Sequence, residues 1–455
     1  MTNKRNIKFF SLLAFLAAVT FLFSGCLKNR PDNYSLNLEV WGVFDDSDAF
    51  YKINQQFEKT NPNVVRVNYK KVANNIKDYE KELTDAIAAG NGPDVFFFNN
   101  NWLSKHGNKI SPLPDSTPQI NAFKDNFVDV AYDDFAREGQ IYAMPLYCDT
   151  LGLFYNKDIF NQAGITRPPR TWKEVVDYTK KLTKRDSDGN IVQSAIAMGR
   201  SKRPGGINRS SDILHLLLMQ AGVDIYNKKA NRVDFASNSK SRNVLDFYTQ
   251  FAMAGSEAYT WNSEMDYSID SFRYGRTAMM INYSYWKNDI RKSDPKLNFD
   301  TAPVPQQELD NKANFPNYWG LAVVKNKELQ PVNSGNPVNH TNAQRIENAW
   351  KYIKYATMKP ESTKNQTNLS FDPNKRYLEN TKKPAARRDL IEEQKNDPYM
   401  ADFATQSLTA ESWAQPNNLG VETIFVEMID NVVSGEQTSH EGLNSAESRI
   451  NALIR

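Results

Sequence analysis

The chain has 455 residues, 40% hydrophobic and 24% charged, with 20 Gly, 21 Pro and 2 Cys. That length exceeds one ordinary core and predicts two lobes or domains; the composition excludes collagen-like, coiled-coil and wholly disordered chains, and two cysteines cannot build a disulfide scaffold. The formal charge is +3, but Lys4, Arg5 and Lys8 all precede residue 26, and taking those three from 56 Lys and Arg leaves 53 against 53 Asp and Glu. A neutral mature chain gives no sign of nucleic acid as a partner.

The amino terminus reads as an address. Three positive charges are followed by the uncharged stretch Phe9 to Phe23, which suits a secretory signal and falls short of the ~20 residues that span a bilayer. The stretch ends Phe23-Ser24-Gly25-Cys26. Small residues before a cysteine resemble the lipobox of bacterial lipoproteins, which implies cleavage after residue 25, lipidation of Cys26 and a tether over 26–34. The alternative is a simple signal peptide with an incidental cysteine. Both place the mature protein outside the cytoplasm, and a lipidated Cys26 would leave Cys148 without a disulfide partner.

Leu36, Leu38 and Val40 alternate with polar residues and predict a strand ending at Trp41. Phe50, Ile53 and Phe57 mark a helix stopped by Asn61-Pro62, and Val64 to Val67 a second strand. Ile76, Tyr79, Leu83 and Ile87 mark the next helix, before the wholly apolar strand Val95 to Phe98. Strand, helix, strand, helix, strand is the order of a doubly wound α/β lobe.

A second set begins with the strand Leu151 to Tyr155, and Thr171-Trp172-Lys173-Glu174 reads as a capping box opening a helix through Leu182. Asp186-Ser187-Asp188-Gly189-Asn190 lacks the glycine and terminal glutamate of a calcium loop and reads as a turn. Arg200 to Arg209 reads as a solvated basic loop, Ile213 to Gln220 as an apolar helix, and Thr277 to Asn282 and Tyr318 to Val324 as buried strands. Lys325 to Asn342 reads as a polar surface insertion, and the last hundred residues as mainly helical.

Catalytic chemistry leaves no trace in the sequence. The four histidines are scattered without an HExxH pattern, and no CxxC, GxSxG or Walker segment is present. No metal or cofactor is indicated. The tryptophans are more informative. Trp172 and Trp350 sit in helices with apolar neighbours and read as core, whereas Trp41, Trp102 and Trp286 fall just beyond the carboxyl ends of predicted strands. Open α/β sheets bind ligands there. Aromatic faces beside Asp, Asn and Tyr suit a sugar, whose C–H face packs on indole while its hydroxyls meet carboxylate and amide.

Several segments in order are similar to the extracellular solute-binding proteins of ABC importers, the group that includes maltose-binding protein. They are Leu38-Glu39-Val40-Trp41 with the helix at Phe57-Glu58-Lys59, Gly92-Pro93-Asp94-Val95, Met144-Pro145, Gly152-Leu153-Phe154-Tyr155-Asn156-Lys157-Asp158, and Gly275-Arg276-Thr277-Ala278-Met279-Met280-Ile281-Asn282 closed by Trp286. Tyr147 stands where a smaller residue is usual, and Gln162 where a charged one is.

The resemblance implies a periplasmic-binding-protein-like α/β fold with two doubly wound lobes, a hinge and a ligand cleft. The lobes are expected over 35–146 plus 303–345 and over 147–302 plus 346–455. Crossovers are expected near Met144 to Thr150 and Phe299 to Pro305, with a return to the second lobe around Arg345.

It also places Trp41, Asp45, Asn99, Asn101, Trp102, Tyr147, Asp149, Trp286, Tyr318, Trp319 and Trp413 at the cleft. Asn101 and Trp102 replace charged residues of maltose-binding protein, which implies a different pattern of hydroxyl contacts. The implied function is capture of a mono- or oligosaccharide by a monomeric, membrane-anchored protein that delivers it to an ABC permease. The same fold could serve a polyol, glycerol phosphate, a peptide or a metal chelate, and a surface glycan-degrading enzyme is the reading from another class.

Overall fold

The computed structural model describes residues 34–116, 119–203, 205–360 and 371–454. The expected signal segment, Cys26 and the expected tether through Asn33 lie outside them. Tyr34 already belongs to the fold, since it is buried and its hydroxyl accepts a hydrogen bond from Asn348 Nδ2 at 2.7 Å.

In chain order the elements that position the site are β1 (Leu36–Val43), α1 (Asp48–Thr60), β2 (Val64–Ala73), α2 (Ile76–Ala88), β3 (Val95–Asn99), β4 (Ile110–Ser111) and β5 (Ala143–Pro145). The second set comprises β6 (Gly152–Asn156), α3 (Trp172–Leu182), β7 (Ile191–Ile196), α4 (Ser210–Gln220), β8 (Thr277–Asn282) and β9 (Phe299–Pro303). β10 (Trp319–Val324), α5 (Asn342–Thr357), α6 (Pro373–Thr381), α7 (Asn418–Val433) and α8 (Ser439–Ile454) follow.

Local signals explain the boundaries. Asn75 and Thr171 accept hydrogen bonds from the backbone N–H groups of Asp78 and Glu174, capping α2 and α3. Thr341 and Gln344 close a complete capping box on α5. The Asp186 loop is a turn, its Oδ1 accepting the N–H groups of Asp188 and Asn190.

Two mixed sheets result. The first runs β2-β1-β3-β10-β4, with β5 also paired to β10; the second runs β9-β6-β8-β7 and ends on the short strand Lys184–Arg185. The βαβ steps are parallel, whereas β10 lies antiparallel to β3, and β6 antiparallel to β8. Strands entering from the other lobe arrive at the opposite end of the sheet and therefore run against it. Each sheet has its own apolar core, one holding Leu38, Phe97 and Leu321, the other Phe154, Leu217 and Met280.

The hinge consists of two chain segments side by side. Leu146, Tyr147 and Cys148 pack in the first core and Leu151 in the second. The N–H groups of Leu146 and Leu151 bond to the carbonyls of Trp319 and Phe315, and Asn317 N–H to that of Asp149. The second crossover is thus Phe315 to Tyr318, not Phe299 to Pro305, because Phe299–Pro303 is strand β9 of the second sheet.

The expected return near Arg345 is also displaced. Arg345 is buried, with Nη1 3.2 Å from Asp94 Oδ1, and Trp350, Ile353, Tyr377 and Ile391 all pack in the first core. α5 and α6 cover the first sheet, and sustained membership of the second core resumes at Trp413. Helical periodicity alone does not tell which sheet a helix covers.

Candidate functional site

The carboxyl ends of β1, β3 and β8 open toward the hinge, and the loops there carry most of the expected residues. After β1, Phe44 adopts φ +68° and is 42% exposed. Asp45 follows, its carboxylate 2.6 Å from Lys383 Nζ and accepting a bond from the Tyr377 hydroxyl at 2.7 Å. Trp41, still within β1, is half-buried, with Lys70 Nζ 5.0 Å from its ring centroid. Phe44, rather than Trp41, presents the open aromatic face.

After β3, Asn99 is buried, with Nδ2 3.4 Å from Asn317 Oδ1, and Asn101 is half-exposed. Trp102 is fully buried among Tyr79, Phe98, His106 and Trp319, the last at 5.2 Å. Tyr318 is also fully buried, donating to Asp134 Oδ2 at 2.7 Å. Neither offers a face to a ligand. Strand ends carry core residues as well as site residues, and position relative to a strand does not separate them.

Trp319 is buried too, but it packs edge-to-face with Phe44, ring centroids 6.1 Å apart, so it braces an exposed ring instead of presenting its own. Trp413 is buried in the second core, 5.8 Å from the His215 ring.

At the hinge, burial pushes the Tyr147 hydroxyl well above its ordinary pKa, and Asp45, Asp149 and Tyr285 push it further. Tyr147 therefore lies close to groups of the first lobe, the crossover and the second lobe. Asp149 is buried and accepts from Ser284 N–H at 3.0 Å and Ser284 Oγ at 2.8 Å. Burial nonetheless raises its pKa to about 7, against the lowering effect of those bonds.

After β8, Tyr285 is 38% exposed and lies 5.7 Å from the half-buried Trp286, whose Nε1 has no partner among the described residues. The Tyr285 hydroxyl accepts from Arg209 Nη2 at 3.0 Å. Arg209 sits at φ +61° at the N-terminus of α4, its guanidinium 5.3 Å from the Tyr283 ring centroid. The Tyr283 hydroxyl donates to Asp212 at 2.9 Å.

The structure therefore brings Asp45, Asn99, Asn101, Tyr147, Asp149 and Trp286 to the hinge region and withdraws Trp102, Tyr318 and Trp413 into cores. Phe44, Arg209, Tyr285, Tyr377 and Lys383 join the site without having been expected. The solvated-loop reading of Arg200 to Arg209 ends wrongly at Arg209. Tyr377 and Lys383 were hidden by the assignment of their segment to the other lobe. Among the described residues no group of His, Cys, Asp and Glu could hold a metal ion.

Two α/β lobes joined by a polar, aromatic-rimmed hinge are the architecture of a two-lobe binding protein. Residues 42–360 match the family described as bacterial extracellular solute-binding protein, and the chain belongs to it. A binding protein of Brucella abortus (strain 2308) is 21% identical over 71% of this chain and 72% of its own. The maltotriose-binding protein of Pyrococcus abyssi is 22% identical over 63% of this chain and 55% of its own. Among solved structures, the cyclic α-maltosyl-1,6-maltose binding protein of Arthrobacter globiformis superposes with a TM-score of 0.70 at 18% identity, covering 92% of this chain and 99% of that one.

Proposed function

We propose that this protein captures a mono- or oligosaccharide between its lobes and delivers it to an ABC permease, working as a monomer anchored to the cell membrane through a lipidated Cys26. The observation that carries the carbohydrate reading is the make-up of the hinge region. One lobe carries the exposed ring of Phe44 next to Asp45 in the chain, with the half-exposed Asn101 after β3, and the other carries Tyr285 and Trp286 next to Ser284, which bonds Asp149. Rings bind the C–H faces of a sugar, and carboxylate and amide take its hydroxyls. The likeness to maltotriose- and maltosyl-maltose-binding proteins supports the same class. Contacts to both lobes would stabilise the closed state, which is all that capture requires.

A thermal-shift screen of the purified protein against maltose, maltotriose, mannobiose, glycerol phosphate and a short peptide tests this. A solute at a hundred times its dissociation constant adds about 2.7 kcal/mol of stability. A shift with one sugar series is the expected result, and shifts confined to glycerol phosphate or the peptide would refute the carbohydrate reading. Metabolic labelling with a clickable fatty acid tests the anchor, since Cys26→Ser should abolish both the label and recovery in the membrane fraction.

A further inference from the structure

Three buried side-chain atoms without a hydrogen-bond partner among the described residues belong to residues lining one interlobe cavity. They are Arg209 Nε, His215 Nε2 and Asn418 Oδ1. The cavity is small, about 50 Å³, and Asn99 and Asn101 of the first lobe complete it. Buried polar groups are normally paired, and these three atoms, closed off from solvent on residues that line one cavity, call for a partner that reaches them as the lining side chains adjust.

Their hydrogen-bonding sense is defined. His215 is 2% exposed, with its ring stacked on Phe425 at 4.4 Å and on Phe315 at 5.2 Å. Its Nδ1 lies 2.8 Å from the Ser211 carbonyl oxygen, which can only accept. Nδ1 therefore carries the proton, and Nε2 of the neutral ring offers a lone pair. Burial supports the neutral form by holding the pKa down at about 4. Asn418 Oδ1 is a second acceptor and Arg209 Nε a donor.

We propose that this cavity is a subsite for a neutral, hydroxyl-bearing group of the solute, which donates to His215 Nε2 or Asn418 Oδ1 and accepts from Arg209 Nε. The proposal rests on the carbohydrate reading and specifies where the closed lobes grip the solute. A hydroxyl both donates and accepts, matching this set, whereas an anionic oxygen only accepts and would face two lone pairs. Charge points the same way. The helices α4 and α7 both begin at the cavity and would favour an anion, but Asp212 in the first turn of α4 and Glu422 in α7 also line it. Arg209 lies 3.8 Å from Asp212, so its charge is already answered.

Calorimetric titration of wild type, His215→Phe and His215→Gln with maltotriose, mannotriose, D-tagatose, glycerol and glycerol phosphate tests the subsite. Nitrogen NMR of the labelled protein reads the His215 Nε2 resonance alongside. Phenylalanine keeps the stacking and removes the acceptor, so affinity for a neutral probe that binds wild type should fall about tenfold. Glutamine should restore part of it, and the Nε2 resonance should move when the probe is added. Equal affinities in wild type and a folded His215→Phe would overturn the subsite while leaving the carbohydrate reading in place. Binding of glycerol phosphate alone would overturn the carbohydrate reading, and binding it equally well in wild type and His215→Phe would overturn the subsite too. If no sugar binds, the carbohydrate reading fails, and an Nε2 resonance unmoved by molar glycerol overturns the subsite independently. Should His215→Phe fail to fold, Asn418→Ala replaces it with the same outcomes.

Discussion

Lys383 Nζ lies 2.6 Å from both carboxylate oxygens of Asp45, a residue 338 positions earlier in the chain. The pair is 13% and 9% exposed, and Lys383 also sits 4.5 Å from the Tyr147 ring centroid. It ties the loop after β1 to the chain beyond α6 and orients Asp45 beside the hinge. Lys383→Met should leave a buried carboxylate with the Tyr377 hydroxyl as its remaining donor and cost about 3 kcal/mol. Urea unfolding reads that loss, and adding Asp45→Asn to the same chain should recover part of it. A single variant as stable as wild type would show that the pair is solvated in solution.

Two buried carboxyls set a pH dependence of stability. Burial raises both Asp134 and Asp149 to about 7, despite donors from Tyr318, Ser412 and Asn100 to the first and from Ser284 to the second. The folded chain holds these protons more tightly than the unfolded chain, where an aspartate titrates near its ordinary 3.8. Their contribution is fully present below about pH 4 and is lost as the pH rises through 7, on the order of 4 kcal/mol for each. Other carboxylates titrate with the opposite sign, so the difference between Asp149→Asn and wild type isolates the effect. That difference should move in the variant's favour between pH 4 and pH 7 (roughly the window between the two pKa values). A constant difference would mean that Asp149 is ionised throughout.

The elements were legible where one face of a short segment is apolar: β1, α1, β2, α2 and β3 stand where alternation and helical spacing put them. What stayed hidden was which lobe a segment serves. Val304 and Phe315 pack in the second core and Tyr318 in the first, yet no hydrophobic period marks that change. The position of the candidate site was legible to the same degree. Asp45, Tyr147, Asp149 and Trp286 lie where strand ends and family segments place them, whereas Arg209 and Lys383 reach the hinge through packing between distant elements. Trp102 and Tyr318 show the converse, since an aromatic after a strand turns inward when neighbouring rings offer it a core.

Gly320 shows how closely the crossover is packed. It pairs with Phe98 on one side and Pro145 on the other, and a Cβ there would lie 2.5 Å from the Met144 carbonyl oxygen and 2.8 Å from the Phe135 ring. Backbone on a neighbouring strand cannot give way as a flexible side chain can. Gly320→Ala should cost about 1–3 kcal/mol, while Gly255→Ala, whose Cβ would meet nothing within 4 Å, should stay within about 0.5 kcal/mol. Thermal melts of the two variants compare them directly, and equal melting temperatures would mean that β5 and β10 separate readily.

Trp102 and Trp286 both follow strands, but they should fail in different ways. Trp102 is fully enclosed by Tyr79, Phe98 and Trp319, so Trp102→Ala should leave a cavity and cost about 3–5 kcal/mol. Trp286 is half-buried beside the exposed Tyr285, whereas an indole N–H without a partner among the described residues is common to both tryptophans. Trp286→Ala should therefore melt close to wild type while weakening the bound sugar about tenfold, equivalent to about 1.4 kcal/mol. Melting curves and calorimetric titration of the pair separate the roles. A Trp286→Ala protein that binds as wild type does would remove that ring from the site, and a Trp102→Ala protein of unchanged stability that binds more weakly would bring Trp102 back into it.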